Sequence, residues 1–263
     1  MRHYLLLVRA QLSSQAQYRA SIALDLVAQL VLLALEVVTA LVVLSITPAL
    51  GGFVRDDALL ITGLAVVATT LADLTISGIV RLPNHVDTGR FDVLLVRPLS
   101  AFWQVVAIGF QLRRLGPFVG AVALLAVAAA SAVDRWSLPH VLLVIVTPLA
   151  GATILGSLNV IGLTVTFRWA QSTELVNAVA YGGRDLGMYP QTVFDGVGYR
   201  VGANLLGFAF VAYYPGLVLL DRTDPLGAPH WLGWTAPLVA LGLARLATAV
   251  WRRGLRTYRS TGS

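Results

Sequence analysis

Apolar residues run along this chain in stretches too long and unbroken for a water-soluble fold. Leu26–Leu50 carries one charge, Glu36, and Ala58–Val80 carries one, Asp73. Leu115–Val133 and Val141–Phe167 carry none, and His140 is the one titratable group in the longer stretch Trp136–Phe167. Pro225–Ala244 is uncharged, and its apolar pattern continues to Trp251. A helix needs about 20 mainly apolar residues to cross a bilayer, so each of these five stretches predicts a span. Before them, Leu5, Val8, Leu12 and Ala16 recur at helical spacing while Arg9, Ser13 and Gln17 occupy other faces. That pattern predicts an amphipathic helix over 2–20 lying at the membrane surface.

The region 169–220 is less regular and admits two readings. In one, 170–199 is extramembrane and 201–220 forms the fifth span. In the other, Ser172–Tyr189 is a weakly apolar fifth span, and 196–220 dips into the membrane and returns. The second reading puts Arg184 and Asp185 within the bilayer, where a central Arg costs about 2.5–3.5 kcal/mol on the insertion scale. It is favoured all the same, because 196–220 is rich in glycine and interrupted by Tyr213-Tyr214-Pro215-Gly216. Proline breaks the helical ladder and glycine allows a turn. A broken segment suits a re-entrant hairpin buried in protein, with its turn at those four residues. No internal repeat of broken helices is visible, which disfavours transporter folds built from inverted halves.

Composition agrees with a polytopic membrane protein. The chain is 57% hydrophobic and 12% charged, about half the charged fraction of an ordinary soluble domain. The formal net charge is +6, and every basic side chain apart from histidine is Arg. With the N-terminus inside, Arg2, Arg9 and Arg19, the five arginines of 81–114, Arg168 and the four of the tail all fall on the cytoplasmic side. Arg55, Arg135, Arg200 and Arg222 fall outside, among acids. This bias predicts an N-in, C-in, all-α membrane protein with six transmembrane helices, and it accounts for the basic charge without nucleic acid.

Several chemistries are missing. There is no lysine and no GxxxxGK[ST], so the chain lacks a phosphate-binding loop for ATP. The four histidines are scattered, no HExxH occurs, and cysteine is absent, so neither a metal site nor thiolate catalysis is expected. Glu36 and Asp73 are acids within spans, and such residues are functional candidates by default. With Asn159 and Asn177 they are the candidate lining of a translocation path. Glu36 and Asp73 also leave open an ion-coupled secondary transporter. A lipid-processing enzyme or assembly factor is the other alternative, though no nucleophile has a recognisable base.

A family resemblance rests on four pieces in order around these spans. They are Gly89–Ser100 (GRFDVLLVRPLS), the Tyr189-Pro190 pair, Ala212–Arg222 (AYYPGLVLLDR) and the tail Trp251–Ser263 (WRRGLRTYRSTGS). The chain resembles the ABC-2 type transporter permeases, in particular bacterial ones of this length whose ATPase is a separate polypeptide. The weakly apolar 172–189 segment, with Gly182-Gly183-Arg184-Asp185, departs from that pattern. The resemblance implies a homo- or heterodimer of permease subunits in the bacterial plasma membrane, each docked on a cytoplasmic ABC ATPase that holds the ATP and Mg. It implies export of drugs, lipids or lipid-linked molecules, and a coupling helix in the loop after the second span. The residues of 81–100 agree. Pro83 and Pro98 bound a short element, Arg90, Asp92 and Arg97 offer polar contacts, and Phe91, Leu94 and Leu95 are spaced as an apolar anchor for a partner.

Overall fold

The computed structural model describes residues 55–130, 136–167 and 197–258, together with Phe53 and scattered positions between 23 and 38. The interfacial helix over 2–20, Glu36, the fifth span over 172–189, Asn177 and Tyr189-Pro190 lie outside the described residues.

The described chain is helical throughout, with short connections and no strand. In chain order the helices are α1 (Arg55–Val80), α2 (Leu82–Asp87), α3 (Arg90–Val96), α4 (Ala101–Ile108), α5 (Leu115–Ala130), α6 (Leu138–Thr164), α7 (Val197–Leu205), α8 (Tyr213–Leu219) and α9 (Ala236–Thr257). Four helical stretches are long and apolar enough to cross a membrane: Asp56–Asp87, Leu112–Ala130, Leu138–Phe167 and His230–Thr257. The described positions between 23 and 38 are helical and mostly exposed. They contain Asp25, which meets Arg113 at 3.4 Å.

Several polar side chains in the spans are satisfied by their own helix, although the buried Thr147 hydroxyl of α6 has no hydrogen-bond partner among the described residues. Thr69 and Thr70 of α1 donate to Ala65 and Val66 carbonyls, both at 2.8 Å. Ser157 and Thr164 of α6 donate to Thr153 and Val160 carbonyls, both at 2.6 Å. Bonding back to one's own helix removes the cost of a bare hydroxyl where no water is available.

α6 lies at the centre, packed on α1 along one side and on α9 along another. The interior divides into three clusters stacked along the bundle. One joins the start of α1 to α8 through Leu60, Ile61, Tyr213 and Val218. A middle cluster joins Ala68, Ile154, Phe208 and Ala240. The third joins the end of α1 to α2, α3, α4 and the end of α9 through Ile79, Phe91, Val105 and Trp251.

Two expectations shift. The last span does not begin at Pro225. Residues 221–229 form a folded turn, built on Asp224, whose carboxylate accepts from Tyr213 O–H at 2.6 Å and from the Leu226 and Ala228 N–H groups at 3.1 Å. Helix starts only at His230, as a 3-10 turn leading into α9. The second shift concerns 196–220. The turn is not at Tyr213-Tyr214-Pro215-Gly216, which are all buried and open α8. Pro215 falls in the first helical turn, where its missing N–H has no partner to lose. A left-handed residue occurs earlier, at Gly207 (φ 82°), which leads into the 3-10 turn Phe208–Phe210 between α7 and α8.

Candidate functional site

The segment from Arg81 to Arg114 gathers charge, exposed apolar surface and a close connection to two spans. α2 begins with Pro83 in its first turn, a position proline tolerates. Gly89, at φ 67°, takes the left-handed conformation that separates α2 from α3. α3 has two distinct faces. Phe91 is 0% exposed and Leu94 5%, whereas Val93 is 57% exposed and Val96 86%. Arg90, Leu95, Arg97 and Pro98 are exposed as well.

The buried face is held by aromatic and polar contacts. The Phe91 ring lies 5.1 Å from Phe167 and 5.2 Å from Tyr258, centroid to centroid. Trp251 of α9 closes the group, 5.3 Å from Phe102 and 5.2 Å from Phe167. All but the tilted Phe91–Phe167 pair are edge-to-face, an arrangement that adds about 0.5–1.5 kcal/mol each beyond area burial. Gln104 of α4, itself buried, donates to the carbonyls of Leu94 at 2.9 Å and Leu99 at 3.1 Å, closing the loop after α3. Tyr258 O–H donates to Asp92 at 3.0 Å, tying the chain after α9 to α3.

This corrects the sequence reading of the apolar anchor. Phe91 and Leu94 are core of this chain and cannot also anchor a partner. Of the three, Leu95 remains available, and Val93 and Val96 join it. The helical spacing was visible in the sequence, but two apolar faces of a seven-residue helix are equivalent until something packs on one of them.

α4 is an element the sequence did not separate from its loop. It crosses α1 at closest approach through glycines. A Cβ on Gly109 would overlap Gly78, and a Cβ on Gly78 would overlap the Val105 carbonyl. Ser77 Oγ donates to the Gly109 carbonyl at 2.7 Å beside the crossing. Just before it α1 departs from helical geometry at Ile76 (φ −121°, ψ 17°). The whole segment is therefore joined to the end of α1 backbone against backbone.

Electrostatics make the exposed edge basic. Arg81, Arg90 and Arg97 are all exposed along it. The Tyr258 phenol is pushed up to about 12, by burial and then by the hydrogen bond and charge of Asp92. A proton held more tightly in the folded state supports the fold fully below the ordinary phenol value of about 10 and is lost as pH rises toward 12. A near-ultraviolet difference titration of wild type against Tyr258→Phe should show one phenol ionising late. A difference curve centred at the ordinary value would refute the contact with Asp92.

Of the candidate path residues, Asp73 and Asn159 are described, and each has a partner of its own. Asp73 meets Arg114 at 3.4 Å, both partly exposed. Arg114 and Arg113 also donate to Gln111 Oε1, at 3.4 and 2.9 Å, which links this pair to Asp25. Asn159 donates to the Leu155 carbonyl of its own helix at 3.0 Å.

A family model described as "ABC-2 family transporter protein" matches residues 30–262. No curated protein and no solved structure matches the chain.

Proposed function

The chain belongs to the ABC-2 family of transporter proteins, and on that premise we propose that it is the permease subunit of an ATP-driven exporter. Its energy comes from a separate cytoplasmic ABC ATPase that holds ATP and Mg. The permease works as a homo- or heterodimer in a bacterial plasma membrane, with six spans and both termini inside. Its substrate is an amphipathic drug, lipid or lipid-linked molecule.

The observation that carries the reading is the two-faced α3. One face, Phe91 and Leu94, is locked into the core with α9 and the end of α6. The other presents Arg90, Val93, Val96 and Arg97 to the surroundings. An exposed apolar strip between two guanidinium groups suits a shallow acidic groove on a partner. The glycine crossing with α1 gives displacement of that strip a direct route into the bundle. The absence of any phosphate loop or lysine in this chain leaves ATP hydrolysis to the partner.

The test is reconstitution of the permease with the ABC ATPase that co-purifies with it. Transport should follow ATP and persist when the proton gradient is collapsed. Dependence on the gradient alone would favour ion coupling through Glu36 and Asp73 instead. In that case Glu36→Gln with Asp73→Asn should abolish transport. Under the ATP-driven reading the same pair should retain it within a few-fold, since Asp73 already answers Arg114 as an ion pair.

A further inference from the structure

An arginine stands in the middle of the last apolar helix with no acidic partner among the described residues. Arg245 lies about 14 Å along α9 from Ala236 and about 18 Å from Thr257 at 1.5 Å per residue. It is exposed, and among the described residues no acidic group lies within ion-pairing distance. The opposite face of α9, with Ala240, Ala247 and Trp251, is buried against the bundle. Arg245 therefore faces away from its own fold, along a strip with Leu238, Leu241, Gly242, Thr248 and Arg252, all exposed.

The guanidinium stays charged at any physiological pH. Left in hydrocarbon an unneutralised guanidinium is strongly unfavourable. A counter-charge must reach it. A two-fold contact centred on this strip would set the basic patches of two copies against each other and bring no counter-charge. The charges on the strip instead suit a phosphate. Arg252 follows Arg245 on the same face, about 10 Å further along the helix. Between them lie Thr248 and Ala249, both short. Gly242 has open space around its backbone, with nothing within 4 Å of where a Cβ would stand. The short Thr248 and Ala249 leave a notch between two long side chains whose apolar stems can lie along α9 while their heads converge on one group, and Gly242 adds room on the far side of Arg245. Leu238 and Leu241 continue the strip as apolar surface beyond the notch, where an acyl chain would run.

We propose that the outward face of α9 holds the phosphate of an anionic phospholipid, clamped between Arg245 and Arg252 at the level where the headgroup meets hydrocarbon. The site is independent of the ATPase-docking reading, since it needs only the membrane placement of α9. It differs from the general attraction of the basic tail for headgroups, which any of the terminal arginines would serve.

The test uses the full chain in nanodiscs of phosphatidylcholine alone or of phosphatidylcholine with phosphatidylglycerol. Thermal unfolding midpoints and the lipid retained on transfer to detergent are the readouts. Phosphatidylglycerol should raise the wild-type midpoint, because it binds the native state. Arg245→Gln and Arg252→Gln should each weaken that binding about tenfold, equivalent to about 1.4 kcal/mol. Arg245→Lys should recover part of it. Arg256→Gln, in the last turn, should leave it nearly unchanged. Equal losses from all three Gln variants would reduce the site to bulk attraction and overturn the proposal. So would a wild-type midpoint indifferent to phosphatidylglycerol, or an Arg245→Gln protein that loses its oligomeric state rather than its lipid. The last outcome would assign Arg245 to an acidic group on another subunit.

Discussion

Gly109→Ala should leave little folded protein, although it adds one methyl group. At this position a Cβ meets the backbone of Gly78, not the flexible end of a side chain. Overpacking of a core by a methylene usually costs about 1–3 kcal/mol, because side chains can change rotamer to absorb it. Here the obstacle is main chain in α1, so α4 must lift away from it. The Ser77 Oγ bond to the Gly109 carbonyl would break with that movement. Gly78→Ala should fail similarly, against the Val105 carbonyl. The control is Gly242→Ala in α9, where nothing lies within 4 Å. That change should be neutral or stabilising by about 0.5–1 kcal/mol, because alanine favours helix over glycine. Monodisperse yield in detergent and the unfolding midpoint would measure all three. Indistinguishable behaviour of the three variants would refute the close crossing of α1 and α4.

Arg90→Glu with Arg97→Glu should abolish co-purification of the ATPase while the permease keeps its yield and midpoint. Both arginines are exposed on α3, so the exchange removes no core contact. Reversing the charge at two positions places acid against an acidic groove. Like-charge juxtaposition of this kind costs several kcal/mol of binding, which is at least a hundredfold in affinity. Val96→Asp should weaken docking through the apolar strip, again without unfolding, given that Val96 is 86% exposed. Leu94→Asp is a different experiment. It buries a carboxylate where 5% of the side chain is accessible and should destroy the fold, not the docking alone. Full retention of the ATPase by the doubly reversed protein would end the assignment of this edge. Transport measured alongside should fall in step with the bound ATPase.

How far the chain could be read in advance follows from what each feature depends on. Four apolar stretches, read as Ala58–Val80, Leu115–Val133, Val141–Phe167 and Pro225–Trp251, correspond to the four helices long enough to cross a bilayer. They were legible because lipid imposes its requirement on every residue of a span. The boundaries moved where local hydrogen bonding intervened. Asp224 organises a turn that keeps 225–229 out of the last helix, and no hydropathy pattern encodes an acid's partners. The Tyr213–Gly216 stretch misled for a related reason. Proline signals either a turn or the first turn of a helix, and only the packing of α8 against α1 and α6 selects the second.

The candidate site divides the same way. Its place between spans, its arginines and its bounding prolines are properties of neighbouring residues, so they were visible along the chain. Which side of α3 is free is not such a property. It is settled by Phe167, Trp251 and Tyr258, which arrive from positions far along the chain. The glycine crossing is equally non-local, since Gly78 and Gly109 acquire meaning only when α4 is laid across α1. Amino-acid order alone thus determined that this is a membrane protein of apolar helices with a basic, charged loop and no GxxxxGK[ST] motif. Tertiary contact alone decided which residues of that loop are core and which face outward. Hydropathy sums over neighbours in sequence, whereas burial depends on neighbours in space.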